Sequence, residues 1–231
     1  GKQIYAYGPS QAANPDLEWE KTATGNIGLD FTVLNGKLSG YVEVYNKKTT
    51  GMIYPYEVNP VLVPAGKITA NGGEMSNKGI ELSLTATPVK TSDFSWTTNL
   101  NLSHNKNIIE KLTNPLFIGG DARRITQPDG GGQTGSTLQI LKEGKPIGQF
   151  FTLEYAGKNS AGWSQYVAKD GSLTTNPGIE TDYHYLGSPQ PKALIGWTND
   201  FKYKNFDLNI FIRGVFGNKI FNATRADLFR P

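Results

Sequence analysis

Strict alternation of apolar and polar residues runs along four segments of this chain, and the segments come in two pairs, each joined by a very short turn. Ile27, Leu29, Phe31 and Val33 alternate with Asn26, Gly28, Asp30 and Thr32. Successive side chains of an extended strand point to opposite sides, so one face of this segment is apolar and the other polar. Leu34-Asn35-Gly36-Lys37 then reverses the chain. Asn-Gly is a strong hairpin signal because both central residues of a type I′ turn need positive φ, which Asn tolerates and Gly takes freely. The return segment places Leu38, Gly40, Val42 and Val44 on one face and Ser39, Tyr41, Glu43 and Tyr45 on the other. In the second pair Ile80, Leu82, Leu84 and Ala86 alternate with Glu81, Ser83, Thr85 and Thr87. After a turn over 88–93, Phe94, Trp96, Thr98, Leu100 and Leu102 alternate with Ser95, Thr97, Asn99, Asn101 and Ser103.

The length of these segments narrows the architecture. Each supplies roughly 10 to 12 residues of alternation, whereas globular strands average about 5 to 6 and tilted membrane-spanning strands need about 9 to 11. One side of every strand suits hydrocarbon and the other suits water. A soluble sandwich with long strands satisfies the same periodicity, and is kept as the alternative.

Composition excludes several classes. The chain has 231 residues and a mean hydropathy of -0.41, with no apolar run long enough for a transmembrane helix. A β-barrel stays open, since only half of its wall is apolar. The absence of cysteine rules out a disulfide framework, a thiolate zinc site and a cysteine nucleophile. A net charge of +3, scattered along the chain, gives no footprint for nucleic acid. Gly1-Lys2-Gln3-Ile4 is not followed by a secretory h-region, so a secretory signal is expected to have been removed or to lie outside this sequence.

Connector lengths add sidedness. The turns at 34–37 and 88–93 are short, while 46–78 carries Pro55, Pro60, Pro64, Gly66, Gly72 and Gly73 and reads as a long connector. Outer-membrane barrels alternate in this way because periplasmic turns are short and extracellular loops long. A third pair, Lys192 to Phe201 and Phe206 to Val215, turns at 202–205. Keeping that short turn on the periplasmic side makes 106–189 one large extracellular loop, with its own small strands around Ile147–Tyr155 and Tyr166–Leu173.

The expected fold is therefore all-β: an antiparallel meander forming part of a large transmembrane β-barrel with long extracellular loops. Residues 1–231 are read as part of a single barrel domain. Spanning strands are expected near 22–33, 38–49, 79–88, 94–105, 192–201 and 206–215, with long loops at 46–78 and 106–189. Six strands cannot close a solute-conducting barrel, because outer-membrane barrels start at about eight strands and plugged transporters use about 22.

Several runs resemble one family in order and spacing: Asn14-Pro15-Asp16-Leu17-Glu18-Trp19-Glu20-Lys21-Thr22, Asn26-Ile27-Gly28-Leu29-Asp30-Phe31 and Tyr45-Asn46-Lys47-Lys48-Thr49. Further along come Asn71-Gly72-Gly73-Glu74-Met75-Ser76-Asn77-Lys78-Gly79-Ile80-Glu81, Leu186-Gly187-Ser188-Pro189-Gln190-Pro191-Lys192 and Tyr203-Lys204-Asn205-Phe206-Asp207-Leu208. Over nearly its whole length the chain resembles the C-terminal barrel region of SusC/RagA-type TonB-linked outer-membrane receptors. That resemblance implies nutrient uptake, including polysaccharide utilisation: import of a glycan or peptide across the outer membrane of a Gram-negative bacterium. The implied partners are a SusD-like surface lipoprotein as lid, the TonB complex acting through an N-terminal region outside this sequence, and outer-membrane lipid. Neither the plug domain nor a TonB-contacting box lies in these residues, and Phe229-Arg230-Pro231 is not a barrel-closing strand with a terminal aromatic. The family's acidic loop stretch is reduced to Lys169-Asp170-Gly171, so no calcium or other metal site is expected there.

Candidate ligand-binding residues fall in the long connectors: Tyr54, Tyr56, Trp163, Tyr166, Tyr183 and Tyr185 as stacking platforms for a sugar ring or peptide, and Arg123 and Arg124 as grips for an acidic group. The competing role for the aromatics is packing of the loops themselves, and for the arginines surface solvation. Phe94, Trp96 and Tyr45, at strand ends, are expected to form an interfacial aromatic belt.

No catalytic residue, enzyme activity or cofactor is expected. His104 and His184 are the only imidazoles, and Ser103 must face away from His104 along a strand. Asp129-Gly130-Gly131-Gly132 lacks the Lys-Ser/Thr and helix of a phosphate loop and reads as a flexible turn. Glu43, Glu81, Asp200 and Asp207 are free carboxylates, but no spacing singles out a pair. Two readings remain: a transporter segment with ligand-capturing loops, or a soluble secreted β-sandwich that binds carbohydrate.

Overall fold

The computed structural model describes residues 10–61, 63–114, 120–125 and 137–228. Asp129–Gly132 lies outside these.

Six long strands form one antiparallel sheet: β1 Lys21–Val33, β2 Leu38–Glu57, β3 Lys67–Lys90, β4 Phe94–Lys111, β11 Ala193–Tyr203 and β12 Phe206–Phe216, in the order β1-β2-β3-β4-β11-β12. Between β4 and β11 a second sheet is built from β5 Ala122–Ile125, β6 Gln139–Lys142, β7 Gln149–Lys158, β8 Ser164–Val167 and β9 Leu173–Thr174, with β10 Tyr183–Gly187 paired to β7. One short helix, α1 Ala223–Leu228, follows β12. No helix among the described residues is long and apolar enough to cross a membrane.

Register decides the faces. Leu29, Val42, Leu82, Leu102 and Ile195 lie opposite one another in one row, and Phe31, Gly40, Leu84, Leu100, Trp197 and Ile212 in the next. The alternate rows read Asp30, Tyr41, Ser83, Asn101, Gly196 and Arg213, and then Thr32, Ser39, Thr85 and Asn99. The alternation of the separate strands is thus in phase across the sheet, since a slip of one residue would swap every face. The apolar surface runs from the Val89/Trp96/Phe201/Leu208 row to the Ile27/Val44/Ile80 row. Those limits lie four two-residue steps apart, roughly 27 Å along a strand, or about 20 Å after a tilt of about 40°.

Neither face of this sheet carries a second layer. Ile27 is 77% exposed, Leu29 62%, Phe206 76% and Phe211 62%. A sandwich would bury one face beneath another sheet about 10 Å away, so the soluble alternative has no core here. β1 and β12 are unpaired edges within the described residues. The buried apolar side chains, Tyr56, Ala70, Ile109, Leu112, Ile140 and Tyr183, cluster instead where the ends of β2, β3 and β4 meet the second sheet. The sheet is a section of a large transmembrane β-barrel wall: apolar outside, polar inside, open at both edges.

The short turns share one end. In the first, Lys37 N–H donates to Leu34 C=O across Asn35-Gly36, as the Asn-Gly pair predicts, but an overlapping turn closed by Gly36 N–H on Val33 C=O gives Leu34 a φ of 54° as well. Thr87 N–H reaches Lys37 C=O, and Lys204 N–H reaches Asp93 C=O, tying the three turns to their neighbours.

At the other end the connectors differ from expectation. Residues 46–78 are not a long loop: β2 continues to Glu57 and β3 begins at Lys67, leaving 58–66 as the connector. Pro55 read as a breaker, yet β1 stops opposite Thr50, so beyond that point one side of β2 is an edge where a missing N–H costs nothing. Gly72 and Gly73 also read as breakers. They provide clearance instead, since a Cβ at Gly72 would stand 2.1 Å from Tyr56 Oη. The resulting arm, from Gly51 to Gly73, projects beyond the wall. Within 106–189, expected as a loop with its own small strands, β4 runs on to Lys111 and six shorter strands, β5 to β10, follow among the described residues.

Tyr45 departs from the belt. It pairs opposite Gly79 on the polar face, its hydroxyl donating to Asn105 Oδ1 at 3.1 Å. Trp96 lies on the apolar face, stacked on Phe201 at 5.7 Å.

Candidate ligand-capture surface

Two surfaces carry most of the polar and aromatic groups: the polar face of the wall and the lobe formed by the second sheet. On the wall, side chains bond across and along strands. Asn99 donates to Thr85 Oγ1, Asn209 to Asp200 Oδ1 and Asn107 to Asn77 Oδ1 on neighbouring strands, and Asn101 donates to Asn99 Oδ1 on its own. Such chains hold polar groups in a water-facing lattice. Glu43 and Glu81 stand directly opposite each other, with Asn26 Nδ2 donating to Glu43 Oε1 at 2.7 Å. Their pairing depends on the β2–β3 register, so spacing in the sequence does not reveal it. Beside Glu81, a shallow depression of about 300 Å³ is lined by Tyr41, Asn101 and Arg213 among others. Ser103 and His104 occupy opposite faces of β4, and His104 Nδ1 contacts Lys192 C=O.

The lobe is pinned to the wall by its β6–β7 turn. Ile109 N–H donates to Lys145 C=O, Gly144 N–H to Ile109 C=O, and Ile147 N–H to Asn107 Oδ1. Glu143 Oε1 accepts from Leu112 N–H at 2.7 Å and from both Thr113 N–H and Thr113 Oγ1. The Leu112 bond leads the interactions that hold the Glu143 carboxyl below its ordinary value.

Adjacent arginines on β5 point to opposite sides, as strand geometry requires. The Arg123 guanidinium lies 4.3 Å from the Tyr54 ring centroid and 4.7 Å from that of Tyr56, and Nη1 donates to Pro55 C=O. Its Nε and Nη2 are buried with no hydrogen-bond partner among the described residues, so ring faces are their principal company. Arg124 lies 4.6 Å from both Phe151 and Tyr183, donates to Phe151 C=O, and approaches Glu180 at 3.7 Å.

The eight candidate residues therefore divide by place. Tyr54, Tyr56 and Arg123 clamp the arm to the lobe, with Tyr56 1% exposed. Arg124, Tyr183 and Tyr185 gather around Phe151; Tyr183 is 5% exposed, while Tyr185 lies on the surface with the Lys145 ammonium over its ring. Trp163 sits 69% exposed near the tip of the β7–β8 hairpin, where Asn159 Oδ1 accepts its N–H and that of Ala161. Further down the hairpin Tyr155 and Tyr166 meet edge to face at 5.9 Å. Phe151 and Tyr155 were not singled out in the sequence, although both lie in the aromatic segment before Gly157; continuing its alternation would have found them.

Asp170, at the reduced acidic stretch, spends its carboxylate on its own turn, accepting from Ser172 N–H and Oγ. Asp182 likewise accepts from Gly178 N–H and Lys169 N–H. No group of three or more potential metal ligands occurs among the described residues.

Comparison with known proteins places this geometry. Residues 2–188 match the family described as TonB dependent receptor-like, beta-barrel. The chain is 32% identical to TonB-dependent receptor P3 of Formosa agariphila over 94% of its length, and 30% identical to TonB-dependent receptor SusC of Bacteroides thetaiotaomicron over 96%. It spans 22% of the length of each. Among solved structures, the RagAB peptide importer in its open-open state matches with a TM-score of 0.77 at 26% identity, over 90% of this chain and 22% of that one. The closed-closed state matches with a TM-score of 0.73.

Proposed function

Because this chain belongs to the TonB-dependent receptor-like β-barrel family, we propose that it supplies part of the wall and an extracellular lobe of an outer-membrane transporter that imports a glycan or a peptide. The sheet's two-sidedness carries this reading: hydrocarbon on the Ile27/Val42/Leu82/Leu100 surface, water and solute on the Glu43/Glu81/Asn101 surface. Both bare edges pair with further strands of the receptor, since unpaired edge groups in lipid each cost several kcal/mol. The turn end faces the periplasm and the lobe faces outward, toward a SusD-like lipoprotein acting as lid. Energy reaches the receptor from the TonB complex through a region outside this sequence.

Within the lobe, the eight candidate residues take two roles. Tyr54, Tyr56, Arg123, Arg124 and Tyr183 hold the lobe in shape, while Trp163, Tyr166 and Tyr185 contact ligand.

The test is uptake. Cells carrying the full-length receptor and its lid should import members of a labelled glycan and peptide panel, and cells without the receptor should not. Panel members entering equally in both strains would overturn the transport reading.

A further inference from the structure

The geometry points to a site for a phosphorylated lipid headgroup on the outer surface of the wall, at the lobe end of its apolar band. Lys78 and Lys106 are direct cross-strand partners in β3 and β4. They share a face with Ile80 and His104, one step beyond the apolar surface. Like charges placed opposite one another destabilise a strand pair, and among the described residues no carboxylate lies within ion-pair distance of either lysine. Lys48, on the same face, shows the contrast, because Glu74 neutralises it at 2.7 Å.

Lys106 also lines a slot of about 380 Å³ together with Lys192, Lys219 and His104, and no acidic side chain lines it. The slot opens where β4 runs on past the start of β11 and loses its neighbour. Uncompensated cations at the rim of an apolar band meet the phosphates of the bilayer surface, their stems lying along the greasy strip below. The occupant is a lipid phosphate and not a soluble anion, because the row next to Lys78 and Lys106 belongs to the hydrocarbon-facing surface. This inference rests on the outward orientation of the lobe given above.

The probe is monophosphoryl lipid A added to the full-length receptor in a neutral maltoside detergent, with phosphatidylcholine as control and inorganic phosphate as competitor, read by native mass spectrometry. The Lys78→Gln/Lys106→Gln double variant should bind the phosphorylated lipid about thirtyfold more weakly, as each lysine at an anionic lipid surface contributes roughly fivefold. Lys48→Gln should bind as the parent does. Unchanged affinity in the double variant, or displacement of the lipid by millimolar inorganic phosphate, would overturn the site. Cysteines at Val44 and Ile80 separate this failure from that of the underlying orientation. If both react with a bilayer-soluble maleimide while lipid affinity is unchanged, the headgroup site alone is wrong; if neither reacts, the sidedness is wrong and the site falls with it.

Discussion

The ring of Tyr45 lies across Gly79: a Cβ built on Gly79 would stand 2.4 Å from both Tyr45 Cζ and Tyr45 Oη, and 2.6 Å from His104 C=O. The missing side chain lets the tyrosine cross the polar face of the sheet and reach Asn105 at 3.1 Å. The glycine of the Asn77-Lys78-Gly79-Ile80-Glu81 run is thus a clearance for an aromatic two strands' width from its hydrogen-bond partner.

Gly79→Ala should destabilise the full-length receptor by about 1 to 3 kcal/mol, the usual cost of overpacking. Thermal unfolding in detergent measures it. Combining the change with Tyr45→Ala should recover part of the loss but not all, because the His104 carbonyl stays in place. Full additivity of the two substitutions would show that ring and glycine are not coupled.

Cysteines at Leu29, Val42 and Leu82 should react with a bilayer-soluble reagent in membranes, and cysteines at Asp30, Glu43 and Ser83 with a water-soluble one. Register puts each set on a single face. Protection of the first three would contradict a lipid-facing surface.

Arg123→Met retains most of the apolar stem and removes the cation held between Tyr54 and Tyr56. A buried cation–π contact contributes about 1 to 2 kcal/mol, so the clamp between arm and lobe should loosen by about that amount. Hydrogen exchange should rise in 52–57 and 122–125 while the spanning strands keep their protection. Unchanged exchange in both segments would deny the clamp.

Acid should loosen the lobe's attachment through Glu143. Its folded carboxyl is held below the ordinary value of 4.5, first by the Leu112 N–H and then by the Thr113 groups. A depressed pKa means that the stabilisation is complete above the unfolded value and is lost as pH falls from there through the folded one. Exchange of the Leu112 and Thr113 amides, corrected for intrinsic rates, should therefore accelerate below about pH 4.5, near the unperturbed glutamate value. Glu143→Gln should exchange faster at neutral pH and lose this acid dependence; a variant with the parent's profile would assign the effect elsewhere.

Trp163→Ala should leave the fold intact, because the ring is 69% exposed. If Trp163 contacts ligand as proposed, affinity for an imported species should fall by about 2 kcal/mol or more, as for other aromatic anchors. Binding to the receptor with its lid provides the measurement, and parent-like affinity would remove Trp163 from the contact set.

Period-two patterning in β1, β12 and the turn-side halves of β2 to β4 was enough to show strands and faces, because alternation is a local property written residue by residue. The short turn at 202–205 also made β11 and β12 a pair, and the alternation of short and long connectors set that pair beside β4 in the meander. Where the pattern breaks, local reading stops. Bulges around Gly51 shift the register of β2, and Pro55 and Gly72 look like interruptions until β1 is seen to end and Tyr56 to need room. Only tertiary structure split Arg123 from Arg124 into two ring clusters, faced Glu43 with Glu81, and set Lys78 against Lys106. Those relations depend on which strands become neighbours and in what register, and long-range pairing free energy decides that for the whole sheet at once.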